Sequence, residues 1–472
     1  MAQARTVIAP ASARVHVIAP TQLGATAIAA LRVRGIEART GDSPDASDDV
    51  IAWALDAGPS AAAAVELAAT CAHAAASGRP VCLLAPAPRG TGRGAIERAA
   101  ALAYLRAYGA ALAHDVDAWL ESVVLLVRFG LPAGPRAAVI APPDSWLDAQ
   151  ATAVVAEAEA NGARSPLSAP DDPTDVVLYD LALGAPPRTT PGLHIPVAAR
   201  GEIAADRHPA DVVLYGARAA LGAVAVLGRA AERISVGLGP APRAAAAELA
   251  IDHERLARQL AKLGAESTRI GDHETKVLLA AYGVPITRQA VATTPSAAVK
   301  LARRAGFPVE LKSWGHDLPT EPEGCAVERG VTSDALVRQA FTAVLTASGK
   351  SNTDGAAVIV RETPPSGRDV SVSLLELPAL GWTVVLDAPG APQIAAPAPL
   401  RLIDAQALAA HVVASRAGDP EPDRSGLANL LRRASHLVVD VGDRIETLEL
   451  PRVVVGGRGA RTLVVDAAMR LR

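Results

Sequence analysis

Aromatic side chains are scarce in this chain of 472 residues: 3 Phe, 5 Tyr and 5 Trp, about 3% in all. Its cores must therefore be filled by Ala, Val and Leu, and hydrophobic residues do reach 50%. That combination suits small-residue helices laid on parallel sheets, whose buried strands read as short Val/Ile/Leu runs. Cysteine is equally sparse. Cys71, Cys82 and Cys325 are far apart, odd in number and form no CxxC pair. This argues against a disulfide framework or a zinc site and reads as ordinary small buried residues. Charge of one sign is also lacking, since 46 basic residues face 49 acidic ones for a net of −3. No overall field draws the protein to nucleic acid or to an anionic membrane surface, so its partners are expected to be small molecules or protein. Met1–Arg14 has no uninterrupted apolar stretch of the kind a signal peptide or membrane anchor needs, which makes the cytoplasm the expected location.

The length exceeds what one hydrophobic core supports and implies several domains. In the first half, short apolar runs alternate with Ala-rich helical stretches. Val15–Ala19, Val81–Ala85, Ala137–Ala141, Asp175–Tyr179, Ile195–Ala198 and Asp211–Tyr215 read as buried strands bounded by Pro, Gly or Asp. Ala61–Ala76, Asp148–Asn161 and Ala217–Arg229 are long enough to be crossover helices, and together these give a doubly wound α/β pattern. Asp175–Asp180 and Asp211–Gly216 nearly repeat each other, with a spacing that fits one βαβ unit of a single sheet. Pro/Gly clusters at Leu131–Pro135 and Leu238–Pro242 mark candidate boundaries.

After a charged helix over Ile251–Leu263 the pattern changes to α+β. Asp272 is placed to N-cap a helix ended by Gly283, and Thr294-Pro295 opens another ended by Gly306. Strands are expected loosely at Ile286–Val291, then at Phe307–Lys312, Ala356–Arg361, Asp369–Leu375, Trp382–Leu386, Ile445–Leu450, Arg452–Val455 and Thr462–Val465.

Glu274–Ile286, an amphipathic helix and then Gly306-Phe-Pro-Val-Glu-Leu-Lys312 are similar to the opening of the ATP-grasp module in ADP-forming (succinyl-CoA synthetase-like) acyl-CoA synthetases. Val358–Val360, Gly367–Asp369, Trp382–Leu386 and Ile445–Arg470 continue the resemblance through Ala250–Arg472. Upstream, Val15–Gly24, Gly78–Leu84 and Pro135–Ile140 resemble strands of the family's ligase domains. The resemblance implies two flavodoxin-like domains, 14–130 and a shortened 135–237, followed by an ATP-grasp domain over 250–472. The Rossmann CoA-binding domain that precedes these domains in the family is expected to be absent from this chain.

Residue by residue, the resemblance makes Lys312 a contact to nucleotide phosphate or adenine. It sets Arg361, Glu362 and Asp369 along the nucleotide side, and makes Glu449 a magnesium ligand. ATP and Mg²⁺ are the cofactors implied, and nucleotide, a CoA-binding subunit and an oligomeric state the partners. Several family positions are changed. Glu321 stands in place of a Lys, Cys325 and Ala326 in place of paired glycines, and Pro451 in place of the second metal ligand, an Asn. Asp466 matches a family aspartate and reads as structural.

The family's phosphate-accepting histidine belongs to a Gly/Ser/Thr-rich loop, where this chain has the helix former Ala99–Leu105. No histidine lies between His73, in an Ala-rich helix, and His114, in a linker. The family's Gln-Ser-Gly turn is replaced by Ala19-Pro20-Thr21. The expectation is a non-autonomous subunit or pseudoenzyme with weak nucleotide binding. The alternative is an active acid–CoA ligase subunit completed by a partner.

Overall fold

The computed structural model describes residues 14–41, 50–160, 167, 174–180, 192–198, 213–262, 268–314, 326–349, 357–412, 421–457 and 459–472. It divides into two compact units, Met1–Gly239 and Pro240–Arg472. The expected loop positions Glu321 and Cys325 lie outside the described residues.

The first unit begins with β1 (Val15–Ile18), α1 (Thr21–Val33), β2 (Ala38–Thr40), β3 (Val50–Ala54), α2 (Ala61–Ala76), β4 (Cys82–Leu84), α3 (Arg93–Ala107), β5 (Ala111–Ala113) and α4 (Val116–Phe129). Its strands form a five-stranded parallel sheet in the order β2-β1-β3-β4-β5. β6 (Ala137–Ile140), α5 (Trp146–Ala160), β7 (Val176–Asp180), β8 (Leu193–Ala198), β9 (Leu214–Tyr215) and α6 (Ala217–Val236) follow, with a second parallel sheet in the order β6-β7-β8-β9.

Local sequence explains much of this. The Ser60 side chain accepts from the Ala63 amide to open α2, which then buries Ala64, Leu67, Ala68, Cys71, Ala74 and Ala75 at helical spacing. Asp115 caps α4 in the same way through the Asp117 and Ala118 amides. Trp119, fully buried on α4, donates its indole N–H to the Cys82 carbonyl and so ties helix to strand. Small residues let α4 and α6 approach closely, with Gly222 facing Ala118. One apolar cluster joins both helices to strands of both sheets, so the Leu131–Pro135 segment links two sheets that share a core. The near-repeated segments do lie in one sheet, but β8 separates β7 from β9, so they are not adjacent strands of a single βαβ unit. Cys71 and Cys82 are both buried, and desolvation pushes each thiol up to about 12.

In the second unit a 3₁₀ turn at Arg243–Leu249 precedes α7 (His253–Lys262), β10 (Arg269–Ile270), α8 (Asp272–Ala281), β11 (Gln289–Ala292), α9 (Pro295–Ala305), β12 (Val309–Trp314), β13 (Val327–Val331), α10 (Asp334–Ala347) and β14 (Ala357–Glu362). Then come β15 (Gly367–Leu377), β16 (Gly381–Asp387), β17 (Ile394–Pro397), α11 (Leu402–Ala410), α12 (Arg424–Asp440), β18 (Ile445–Gly456) and β19 (Leu463–Leu471). Two antiparallel sheets result. The smaller, β11-β14-β12-β13, packs one face on α9 and α10 around Phe341, Val337 and Leu311. The larger, β10-β19-β18-β15-β16-β17, packs on α7, α8, α11 and α12.

Two local expectations are corrected. Gly271, not Asp272, is the N-cap of α8. Asp272 is the first helical residue, and its buried carboxylate accepts from the Ala467 amide instead of capping its own helix. Ile445–Leu450 and Arg452–Val455 form one strand, β18, whose register shifts between Glu449 and Arg452, around Pro451. Proline has no amide hydrogen to give to a ladder, and an irregularity is where a sheet tolerates it.

Candidate functional site

The site grows out of strand alternation on β12. Val309 and Leu311 turn into the α9/α10 core, so Glu310 and Lys312 point to the opposite face. On the neighbouring strand β14, Arg361 lies directly across from Glu310, and cross-strand partners share a face. Three charged residues thus share one face of the small sheet, and all three are more than nine-tenths buried.

That face meets β19 and α8. The Lys312 ammonium lies 2.5 Å from Oδ1 of Asp466 on β19. Arg361 donates to the same oxygen at 2.9 Å through Nη1, to the Val465 carbonyl at 3.0 Å, and through Nε to Glu310 at 2.8 Å. Oδ2 of Asp466 is buried and has no hydrogen-bond partner among the described residues. Burial alone would raise the Asp466 pKa, but Arg361, Lys312 and Lys276 outweigh it and hold the carboxyl well below the usual range. Lys276, on α8, is fully buried. It donates to Asp272 at 3.1 Å, Thr287 at 3.0 Å and Gln289 at 2.8 Å, and also to the Val465 carbonyl. Desolvation lowers its pKa to about 8 despite the carboxylate of Asp272 beside it. Lys276, Lys312 and Arg361 against Asp272, Glu310 and Asp466 leave this cluster with no net charge.

The other expected site residues lie around it. Glu362 accepts from the Arg288 amide at 2.9 Å and from its guanidinium at 2.6 Å, with Arg461 at 3.5 Å. Asp369 is exposed and pairs with Arg452 at 3.2 Å. Glu449 sits on β18 opposite Ala468, two residues beyond Asp466 on β19, so register places it on the Asp466 side of the large sheet. Trp314, at the end of β12, donates its indole N–H to Glu274 at 3.0 Å.

The structure therefore brings Lys312 and Arg361 together and sets Glu362 in a neighbouring ion pair, while Asp369 stays apart on the surface. The sequence alone gave Glu310 and Lys276 no role, Asp272 only that of a helix N-cap, and Asp466 a structural one. Its available signal was the period-2 alternation Val-Glu-Leu-Lys, which puts a carboxylate on the same face as the lysine. Among the described residues no three His, Cys, Asp or Glu side chains gather as a metal site, Pro451 brings no oxygen, and Asp466 is held by two cations.

In the first unit, α3 runs unbroken through Ala99–Leu105. His114 follows β5 with Nδ1 2.9 Å from the Ala85 carbonyl, and its pKa is lowered by burial. His73 occupies the last turn of α2.

Comparison with known proteins now bears on the second unit. The ATP-grasp domain family matches residues 261–471. Over this region the curated relatives that the chain resembles are ADP-forming CoA ligases. The chain is 25% identical over 218 residues to the acetate–CoA ligase [ADP-forming] II subunit beta of Pyrococcus furiosus, covering 43% of this chain and 92% of that one. It is 24% identical over 213 residues to the 4-hydroxybutyrate–CoA ligase [ADP-forming] of Nitrosopumilus maritimus, covering 42% of this chain and 30% of that protein. Among solved structures, a dinucleotide-forming acetyl-coenzyme A synthetase of Ca. Korarchaeum cryptofilum, bound to coenzyme A, matches at 24% identity. Its TM-score is 0.40, with 47% of this chain and 100% of that one covered. The buried charge cluster lies between the two sheets of the region that this domain model matches.

Proposed function

We propose that the chain is a divergent, non-autonomous member of the ADP-forming acyl-CoA synthetases, a subunit or pseudoenzyme whose ATP-grasp domain binds nucleotide weakly and with little help from magnesium. One observation carries this reading. The two cations best placed to meet a phosphate, Lys312 and Arg361, are buried and already paired with Asp466 and Glu310. A triphosphate gains from cations and backbone amides only if these are available when it arrives.

A second reading has its own support: an active ligase subunit completed by a partner chain that carries the CoA-binding domain. The ATP-grasp domain spans nearly all of a relative that is itself named a beta subunit. Under that reading the missing phosphohistidine would also come from the partner.

Titration of the purified chain with ATP, with and without magnesium, separates the two. Weak affinity, above about 0.1 mM and nearly unchanged by magnesium, is expected. Micromolar affinity that requires magnesium would overturn the proposal and favour the active subunit.

A further inference from the structure

The 3₁₀ turn Arg243–Leu249 is the first element of the second unit, and it rests on α12. Arg432 donates to Glu248 at 2.8 Å and Arg433 to the Leu249 carbonyl at 2.7 Å, while Arg243 reaches the Val439 carbonyl at 3.5 Å. The Glu248 side chain is 72% exposed, and an ion pair so open to water holds little. Hydrogen bonds within a 3₁₀ turn are also poorer than those of an α-helix. This turn ends at Ala250 with φ 51°, a left-handed conformation that a residue with a Cβ adopts only under constraint.

Beneath the turn lies a histidine. His436 is 1% exposed, and neither ring nitrogen has a hydrogen-bond partner among the described residues. On α12 it stands four residues from Arg432 and from Asp440 and three from Arg433 and from Val439, so these five share a face. The turn and α8 dock on that face: Arg432, Arg433 and Val439 meet the turn, and Asp440 accepts from the Tyr282 hydroxyl at 2.6 Å. A buried imidazole with no partner for either nitrogen is costly when neutral and far more so when charged.

We propose that the turn is a proton-released clasp: when His436 takes up a proton, Arg243–Ala250 undocks from α12, which brings the ring into water and relieves the backbone at Ala250. Neutral imidazole keeps the clasp shut. The groups around the ring do not stand in for water on an imidazolium. Arg432 opposes its charge, Asp440 is engaged by Tyr282, Glu248 by Arg432, and Arg243 and Arg433 by carbonyl oxygens. The clasp is independent of whether the second unit binds nucleotide.

The direction of the effect follows from the docked ring. Burial lowers the His436 pKa from its ordinary value of 6.5, Asp440 offsets part of the fall and Arg432 adds to it. A ring released into water regains the ordinary value, so the undocked turn binds the proton more tightly. Docking is therefore at full strength above about pH 6.5, and weakens by up to about tenfold for each unit below it until the docked ring itself titrates.

Hydrogen exchange of the full chain, read by mass spectrometry at about pH 8 and about pH 5.5 and corrected for the intrinsic pH dependence of exchange, tests this. Amide protection across Arg243–Ala250 should fall about fivefold or more at the lower pH, while that of α10 stays within about twofold. His436→Leu fills the site and takes no proton, so it should hold the turn's protection within about twofold between the two conditions. Glu248→Gln should leave the pH effect in place. Unchanged protection in the parent overturns the clasp, as does a pH effect that survives His436→Leu or disappears with Glu248→Gln. If His436→Leu does not fold, His436→Met decides. Should neither fold, the ring is a core contact that the unit needs, and the clasp falls with it.

Discussion

Lys276 shows how much one residue can depend on its surroundings. It lies one helical turn from Asp272, and on an isolated helix that pair would be an ordinary solvent-exposed contact worth a few tenths of a kcal/mol. The approach of β19 buries both partners, so removing one strands the other. Lys276→Met should destabilise the second unit by about 3–5 kcal/mol in denaturant unfolding, and adding Asp272→Asn should recover part of the loss. A loss below about 1 kcal/mol would contradict the buried-pair account. Lys276 lay within the stretch that carries the family resemblance, yet nothing in its local sequence told it from a surface lysine. Asp466 hid in the same way, because the partners that give it meaning are over a hundred residues away in sequence. Lys312 and Arg361 were each legible as a candidate nucleotide contact, though not as neighbours. That they are already neutralised was not, since strand alternation gives a side chain its face but not what lies across from it.

At the scale of elements, the helices were the most readable parts. Ser60, Thr294 and Ser333 each cap a helix through a side-chain oxygen, and Ala61–Ala76 begins and ends where the sequence places it. Strands were harder to read. β3 and β5 are built from Val-Ile-Ala-Trp-Ala and Ala-Leu-Ala, which in an Ala-rich chain look like more helix, and β2 has only three residues. Their pairing comes from neighbours in the parallel sheet and not from intrinsic preference.

Helix contacts in the first unit depend on glycine where sequence pattern alone shows only a helix interior. A Cβ on Gly228 of α6 would fall inside van der Waals contact with the Gly134–Pro135 backbone. Gly228→Ala, neutral or stabilising in an isolated helix, should instead cost about 1–3 kcal/mol and lower the thermal midpoint of the first unit. An unchanged or raised midpoint would show that the helix shifts without strain.

Over the whole molecule, each of the two units has its own buried interior. In the first unit that interior is a core shared by two parallel sheets, with α4 and α6 in it. In the second it is split between the small and large antiparallel sheets. Alternation of buried runs with helices in the first half, and its loss in the second, made this change of architecture visible in the sequence. The sharing of one core by two sheets was not visible, because it depends on packing between segments about a hundred residues apart.

The two cysteines of the first unit give that interior a chemical clock. Thiols shielded from water and held near pKa 12 present almost no thiolate at neutral pH, so an alkylating reagent reacts only when the surrounding helix and sheet open. With Cys325 replaced by serine, the labelling rate at Cys71 and Cys82 should rise with denaturant in step with unfolding of the first unit and stay indifferent to changes at Lys276. Rapid labelling in native buffer would mean that the helix carrying Cys71 or the strand carrying Cys82 breathes on its own, apart from the rest of the first unit.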